Sequence, residues 1–246
     1  MAEVAQNTVP ALRRWGVAGS FENEMIGLGA PYVRALAAFL QSQEETPGFV
    51  RLLRLAAVHV VLARHTEGLE TLVPVGTSDD GLPAPIHILA VPDPLPRAYA
   101  VGTSRVETGV AAYRSLVDPA FDPAREVVLR EGTPRQASAA FQARTSLSAY
   151  KADRVVADVE LSEPGYLVVT DAFAEDWAAV VVGVAAPVLR ANVAFRAVPV
   201  PAGRHTVEMR YRPRAVVVGL WISAASAVVL GALLLRSRGA ALEPRA

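Results

Sequence analysis

The side chains that most often perform chemistry in proteins are few in this sequence and widely spaced. No His-x-x-x-His pair and no Asp/His cluster has the spacing of a metal site. Cysteine is absent, which excludes thiolate ligands, a cysteine nucleophile and a disulfide framework. No glycine-rich phosphate loop and no G-x-S-x-G motif occurs. We therefore predict no catalytic residue, no metal and no cofactor.

Two acidic groupings and one histidine are the remaining candidates for such chemistry. Glu22 and Glu24 flank Asn23 in a glycine-rich loop, where paired carboxylates would do acid–base work, but simple loop polarity is the favoured interpretation. The sequence Asp-Asp-Gly at 79–81 lacks the longer acidic pattern of a calcium loop, which favours a solvated turn. His59 alternates with valines, and this indicates packing in a strand rather than metal ligation.

Three side chains in the second half of the chain are candidates for ligand binding. Trp177 begins a predicted strand, where its ring would either stack on a sugar or anchor the core. Arg190 and Asn192 flank a predicted turn. Asparagine tolerates the left-handed conformation that turns require, so a structural role is the favoured interpretation for this pair. For Trp177 too, a core anchor is favoured over stacking on a sugar.

Composition places the chain at a membrane and not on nucleic acid. The 246 residues carry 24 Lys+Arg and 24 Asp+Glu, and this balance argues against a nucleic-acid partner. Residues 215–235 hold no charge; at ~1.5 Å per residue they are about 31 Å long, close to the hydrocarbon core of a bilayer. Arginines flank this run on both sides, so charge does not decide its orientation. Residues 1–15 lack an apolar h-region, and we expect no signal peptide.

Small residues recur every four positions along the apolar run. They are Gly219, Ser223, Ala227 and Gly231. At this spacing they line one helix face and allow a second membrane helix to approach closely. Such a stripe also arises by chance in a helix rich in alanine and glycine, and the sequence leaves both interpretations open.

Hydrophobic periodicity predicts an α+β fold. In the first segment the pattern indicates helices at 31–41 and 49–55, strands at 58–63 and 86–91, and a loop at 77–85. A short helix is predicted at 107–116, and turn residues then separate short strands typical of an antiparallel β-sandwich. Those strands are predicted at 126–129, 137–143, 154–161, 165–171, 178–182, 186–190, 195–200 and 205–211.

These patterns predict four parts in the chain. An α/β segment covers 1–95, a β-sandwich 96–213, a single C-terminal transmembrane helix 214–236, and a short tail 237–246. In the last strand, alternation predicts that Val207, Met209 and Tyr211 share the buried face.

The order of motifs in residues 164–213 resembles the C-terminal region of YfhO-type bacterial membrane proteins. Asp171 and Trp177 lead into a hairpin. The run Arg-Ala-Asn at 190–192, the strand that follows it, Pro-Ala-Gly at 201–203 and Arg-Tyr-Arg-Pro at 210–213 then lead into the last helix. The upstream part is more loosely similar, so the resemblance covers nearly the whole chain.

Two positions depart from the family pattern. Val182-Gly183 stands where the family has Asp-Gly or Asn-Gly, which suit a type I′ turn. Because valine is poor at positive φ, we expect the turn type or the register to differ. Glu175-Asp176 replaces the Pro-Gly that precedes the tryptophan in the family.

The resemblance implies a function. YfhO-type proteins resemble multi-span glycosyltransferases of the GT-C kind, which use polyprenyl-phosphate sugars outside the cytoplasmic membrane. Their catalytic acid lies in an early loop between membrane helices, and no position matched here is catalytic. We therefore expect a non-catalytic extracytoplasmic accessory domain with the last membrane anchor of a longer protein, linked to cell-envelope glycosylation.

The expected partners are the lipid bilayer, the catalytic membrane part of the same family or other transmembrane helices, and a glycan. The alternative is a stand-alone binding module held by its C-terminal helix, with its domain in the cytoplasm. A free-standing soluble enzyme is the weakest hypothesis, because no nucleophile or metal constellation supports it.

Overall fold

The protein is an α+β structure of mostly antiparallel sheets that ends in one long helix, as predicted. The computed structural model describes residues 31–79 and 84–240. The acidic grouping at 22–24, Asp80 and Gly81 lie outside the described residues. The elements are α1 Pro31–Ser42, α2 Pro47–Leu55, β1 Val60–Ala63, β2 Val73–Ser78, β3 Ile86–Ala90, β4 Ala98–Val101, β5 Thr103–Val106, α3 Gly109–Val117, β6 Glu126–Leu129, β7 Ala143–Tyr150, β8 Arg154–Leu161, β9 Gly165–Val169, β10 Trp177–Val181, β11 Val184–Ala186, β12 Leu189–Ala191, β13 Phe195–Val200, β14 Gly203–Tyr211 and α4 Arg214–Ala240.

Two sheets form a sandwich. A five-stranded sheet has the order β11-β10-β14-β8-β7, and a six-stranded sheet has the order β4-β9-β13-β12-β6-β5. Their facing sides share one apolar core, in which Val155 and Met209 of the first sheet pack with Leu167 and Val198 of the second. In β14, Val207 and Met209 are buried and Tyr211 is half-buried, while Glu208 and Arg210 face outward. This confirms the predicted alternation, which buries one face of a strand and leaves the other wet.

The helices and a small sheet cover another part of the six-stranded sheet. The three-stranded sheet β1-β3-β2 packs with α1 and α2 in a second core. Leu36, Leu52 and Leu89 of this segment are grouped there with Val128 and Phe195 of the six-stranded sheet. The α/β segment therefore shares its core with the sandwich. The domain limits given above stay a prediction.

Several predicted elements differ from the observed ones, and exposure explains most of the differences. The strand predicted at 137–143 is wrong, since β7 begins at Ala143 and is an edge strand with little buried surface. The loop predicted at 77–85 is wrong at its start, because the exposed strand β2 extends to Ser78. Neither edge strand has the inward apolar face that produces alternation. His59 lies exposed ahead of β1, so its expected packing in a strand is also wrong.

The strand predicted at 186–190 is divided between the two sheets. β11 ends at Ala186 in the five-stranded sheet, and β12 begins at Leu189 in the six-stranded sheet. Pro187 stands between them and has no N–H to continue a ladder. The chain therefore crosses from one layer to the other at this proline.

The hairpin β10–β11 adopts the turn that its sequence argues against. Val181 pairs with Val184, which leaves a two-residue loop with φ of 54° at Val182 and 76° at Gly183. Positive φ at both positions is the signature of a type I′ turn. The expected change of turn type is therefore wrong, and Val182 accepts the strain of a β-branched residue in the left-handed region.

Replacing Val182 with asparagine should stabilise the protein. Val182 is 63% exposed, so little packing is lost, and asparagine relieves about 0.5–1 kcal/mol of left-handed strain. Thermal unfolding should show a higher midpoint for V182N. The matched control is V184N, at an equally exposed valine of the same hairpin whose φ is not positive; an equal gain in V184N would contradict the strain argument.

The sandwich passes into the last helix almost without a linker. β14 ends at Tyr211 and α4 begins at Arg214. The Arg212 N–H donates to the Asp176 carbonyl oxygen at 2.9 Å, which ties this junction to the segment before β10. Among the described residues, α4 is the one helix that by length and composition could cross a membrane, over its stretch Arg214–Gly231.

Candidate functional site

A cluster of charged and aromatic side chains lies at the end of the sandwich next to α4. At its centre Asp171, which follows β9, binds three partners. Its Oδ1 accepts hydrogen bonds from Arg97 Nη1 at 3.0 Å and from the Tyr150 hydroxyl at 2.6 Å. Its Oδ2 accepts from Arg196 Nη2 at 2.6 Å. The Arg196 side chain is only 3% exposed and Asp171 19%, so this ion pair is largely removed from water. We call Arg97, Tyr150, Asp171 and Arg196 the Asp171 cluster.

Two arginines beside this carboxylate each stack on an aromatic ring. Arg190 and Arg196 are directly paired across β12 and β13, and residues in this relation point to the same face of a sheet. The Arg196 guanidinium carbon lies 3.8 Å from the centre of the Trp177 ring, and that of Arg190 lies 3.9 Å from the Tyr32 ring. Stacking of this kind stabilises a desolvated cation. It also holds both guanidinium groups in fixed planes.

Three N–H-bearing nitrogens in this pair are buried without an acceptor among the described residues. They are Arg190 Nη1, Arg196 Nε and Arg196 Nη1. Burial lowers the pKa of Arg196, although the charge of Asp171 acts in the opposite direction. Arg97, Arg190 and Arg196 bring three positive charges, and Asp171 supplies one negative charge. Of these charges, that of Arg196 is the most completely buried, and a buried charge is costly unless it is paired and hydrogen-bonded.

Trp177 connects the Asp171 cluster to the start of the long helix. It pairs with Tyr211 across β10 and β14, and the two ring centres are 5.4 Å apart. An open cavity of about 510 Å³ lies beside it. This cavity lies between the entry to β10 and the first turns of α4, and it is lined by Glu175, Asp176, Trp177, Ala178, Arg212, Arg214 and Val218.

Asn192 is fully buried in the turn between β12 and β13. Its φ is 46°, the left-handed conformation that the sequence predicts for this asparagine. The amide oxygen accepts from the Val128 N–H at 3.0 Å, and the amide nitrogen donates to the Tyr99 hydroxyl at 3.2 Å. Burial raises the pKa of Tyr99. Asn192 thereby joins β6, β4 and its own turn, and a glycan contact at this residue stays a prediction.

The structure brings two of the three predicted ligand residues to one place. Trp177 and Arg190 both stand beside Arg196, whereas the amide of Asn192 points into the protein. Sequence reasoning passed over Arg196, Tyr150 and Tyr32. Arg196 did leave a signal, because it occupies an inward position of β13 between apolar neighbours, where an arginine is rarely found without a partner.

Histidines and acids elsewhere form no comparable site. In the ranges 31–79 and 84–240, no group of three or more His, Asp or Glu side chains could hold a metal ion. His205 contacts the Ala202 carbonyl oxygen at 2.8 Å, and His87 contacts the Thr77 hydroxyl at 3.4 Å. The first contact lies within a turn and the second joins two paired strands, so both histidines have structural partners. Asp79 follows the end of β2 as an exposed residue.

Tyr150 should titrate far above an ordinary tyrosine. Burial, followed by its hydrogen bond to Asp171, raises the pKa of Tyr150 from 10.0 to about 12. A raised pKa means that folding favours the neutral phenol. Its contribution to stability is therefore complete below about pH 10 and lost as the pH rises towards about 12. Near-ultraviolet tyrosinate absorbance should show a step near pH 12 that disappears in Y150F. Identical titration curves for the two proteins would contradict the assignment.

The small residues of α4 are exposed where they are described. Gly219, Ser223 and Ala227 face outward and Gly231 is partly covered, so this stripe is free for helix packing, which stays a prediction.

In a membrane two-hybrid assay, S223L should weaken self-association by filling the stripe. The control is A225L, at an exposed alanine of α4 on the opposite side of the helix from the stripe. Equal signals from wild type and S223L would contradict helix packing through this stripe.

The fold and site define a class of protein: a β-sandwich with an arginine-rich cluster at the end from which an apolar, membrane-length helix emerges. Residues 132–223 match the family model described as Bacterial membrane protein YfhO. The match covers β7 to β14 and the first ten residues of α4, so this part of the chain is similar to a region of YfhO-type bacterial membrane proteins. No curated protein and no solved structure gives a significant match.

Proposed function

We propose that the chain is an extracytoplasmic accessory domain together with the last membrane anchor of a YfhO-like membrane protein, linked to cell-envelope glycosylation. One observation carries this proposal: the family match continues from the sandwich strands across the junction at 211–214 into α4. This continuity supports treating strands β7 to β14 and the apolar helix as one unit. The glycosylation link comes from the resemblance to GT-C-like proteins.

The arrangement of side chains in the Asp171 cluster favours an accessory role over catalysis by this domain itself. In the described residues the carboxylate with most partners, Asp171, is held by Arg97, Tyr150 and Arg196. Both oxygens of this carboxylate already accept hydrogen bonds, which leaves it poorly placed to take a proton from a substrate. The Asp171 cluster instead offers arginine N–H groups and aromatic faces, which suit recognition of an acceptor close to the membrane.

Topology is the sharpest test of the extracytoplasmic placement. Because the chain contains no cysteine, single introduced cysteines report without background. We would compare S146C, at an exposed position of β7, with S237C, near the end of α4, using a membrane-impermeant maleimide on intact spheroplasts. The proposal expects labelling at 146 and protection at 237 until the cells are lysed. Labelling at 237 alone would reverse the topology.

The same matched pair separates the two anchored hypotheses from a soluble protein. Recovery of both variants in the soluble fraction after carbonate washing would contradict every membrane assignment. Sequencing of the transcript upstream of Met1 then separates accessory domain from stand-alone module. An in-frame series of apolar spans, or a neighbouring gene encoding them, favours the accessory role; an unrelated gene with its own terminator favours the module.

A second candidate function, glycan binding by a membrane-anchored module, is favoured by one observation. Trp177 lines the open cavity of about 510 Å³ together with Glu175, Asp176 and Arg212, and an aromatic ring with polar neighbours is a common sugar platform. Isothermal titration of the full chain in nanodiscs against a broad glycan panel tests it. Binding should be lost in W177L and kept in W221L, whose tryptophan lies on α4. No heat signal with any glycan would refute this function.

A further inference from the structure

We propose that Arg190 and Arg196 form a binding site for a phosphoryl group, carried either by a phospholipid headgroup or by free phosphate. The two arginines are paired across β12 and β13, and each guanidinium is fixed by a ring stacked at less than 4 Å. This site shares Trp177 with the proposed sugar platform, and it does not depend on the accessory role.

The unmet hydrogen bonds point to a ligand. Arg196 is buried, with 2% of the residue exposed. Of its donors, Nη2 binds Asp171, whereas Nε and Nη1 have no acceptor among residues 31–79 and 84–240. Arg190 Nη1 is also buried without an acceptor among these residues. A buried donor without an acceptor is costly, and a charged donor more so. Because Arg190 and Arg196 point to the same face of the sheet, an anion that accepts from Arg190 Nη1 and from one free nitrogen of Arg196 would satisfy donors of both side chains.

The geometry of the donors favours phosphate over carboxylate. One guanidinium fork fills both oxygens of a carboxylate, as Arg105 does with Glu126 at 2.5 Å and 2.9 Å elsewhere in this protein. Here the unmet donors belong to two arginines that are paired across neighbouring strands. A tetrahedral phosphoryl group presents oxygens in different directions and is able to accept from donors of both side chains. It would also neutralise the positive charge that Asp171 leaves uncompensated.

The position of the site explains why a lipid is one source. Arg196 stacks on Trp177, Trp177 pairs with Tyr211, and α4 begins three residues after Tyr211. If α4 enters the bilayer at its first turn, the two arginines lie at headgroup level. Aromatic and arginine side chains are common at this depth.

Native mass spectrometry of the full chain in neutral detergent micelles tests the proposal directly. Three additives are compared at equal ionic strength: inorganic phosphate, dimyristoyl phosphatidic acid, and dimyristoylglycerol, which lacks the phosphate. Wild type should retain one phosphoryl-bearing molecule per chain and no dimyristoylglycerol. Tighter retention of the phosphatidic acid assigns a lipid headgroup, and equal or tighter retention of inorganic phosphate assigns a soluble source. Retention of none of them overturns the site.

Two substitutions of Arg190 supply the decisive variants. The residue is half-buried and makes no ion pair among the described residues, so R190Q should fold. Loss of one charge-assisted donor pair should weaken retention by about tenfold. R190K keeps the charge but loses the planar fork, and it should weaken retention as well. Unchanged binding in R190Q overturns the proposal.

The matched control is R204Q, which removes an exposed arginine of β14. Its retention of the phosphoryl-bearing molecule should stay within about twofold of wild type, since it changes only the diffuse surface charge. If R204Q and R190Q lose binding equally, diffuse attraction explains the data and the site is refuted. Near-ultraviolet circular dichroism confirms that each variant is folded before binding is compared.

Discussion

Replacing Asp171 with asparagine should destabilise the protein by about 3–5 kcal/mol, the largest effect that we expect from a single substitution. The carboxylate is the ionic partner of both Arg97 and Arg196. Removing its charge leaves the Arg196 guanidinium buried with no counter-ion, and the free energy of unfolding then carries the cost of that isolated charge. The amide also cannot accept from three donors as the carboxylate does.

Urea unfolding of the full chain in detergent, followed by near-ultraviolet circular dichroism, measures this loss. The matched control is E208Q. Glu208 also faces two arginines, Arg154 at 2.7 Å and Arg210 at 2.8 Å, and those hydrogen bonds lower its pKa. The Glu208 partners are exposed, so this substitution should change stability little. Comparable losses of unfolding free energy in D171N and E208Q would show that burial does not explain the contribution of the Asp171 cluster to stability.

Replacing Asn192 with alanine should cost about 2–4 kcal/mol. The substitution leaves the buried Val128 N–H and the Tyr99 hydroxyl without their partner, and each unmet buried group costs about 1–3 kcal/mol. Alanine also remains at a φ of 46°, where a residue with a Cβ atom and no local hydrogen bond is strained.

Comparison with N192G separates these two causes. Glycine removes the same hydrogen bonds but accepts positive φ without strain. Thermal and urea unfolding should therefore show N192G about 1 kcal/mol more stable than N192A and still well below wild type. Recovery of full stability in N192G would mean that backbone strain, and not the amide, accounts for the loss.

Strands buried on their inward positions were predictable from sequence, and edge strands were not. β6, β8 and β13 begin and end where the pattern places them, because their apolar faces are covered by neighbouring layers. β7 and β2 are exposed edges, so tertiary pairing alone makes them strands. The transfer of the chain between sheets at Pro187 depends on long-range packing, which no local window contains.

The candidate site was predictable in its aromatic and polar members but not as an assembly. Trp177 and Arg190 attract notice by residue type. The contact of Arg190 with Tyr32 joins positions 158 residues apart, and that of Arg97 with Asp171 joins positions 74 apart. Such contacts follow from the order of the strands in the sheets. No local pattern of hydrophobic and polar residues in the sequence predicts them.

Only two residues connect β14 to α4, so a change in the tilt of the helix is transmitted directly to the sandwich. Pro213 fixes one backbone angle there, and the Arg212 N–H is held by Asp176, so the joint has little slack. β14 is nine residues long, or about 30 Å. A helix tilted by about 20° in a bilayer would then sweep the far end of this strand sideways by about 10 Å. Bilayer thickness, by setting the tilt, would thus determine where the outer end of the sandwich reaches.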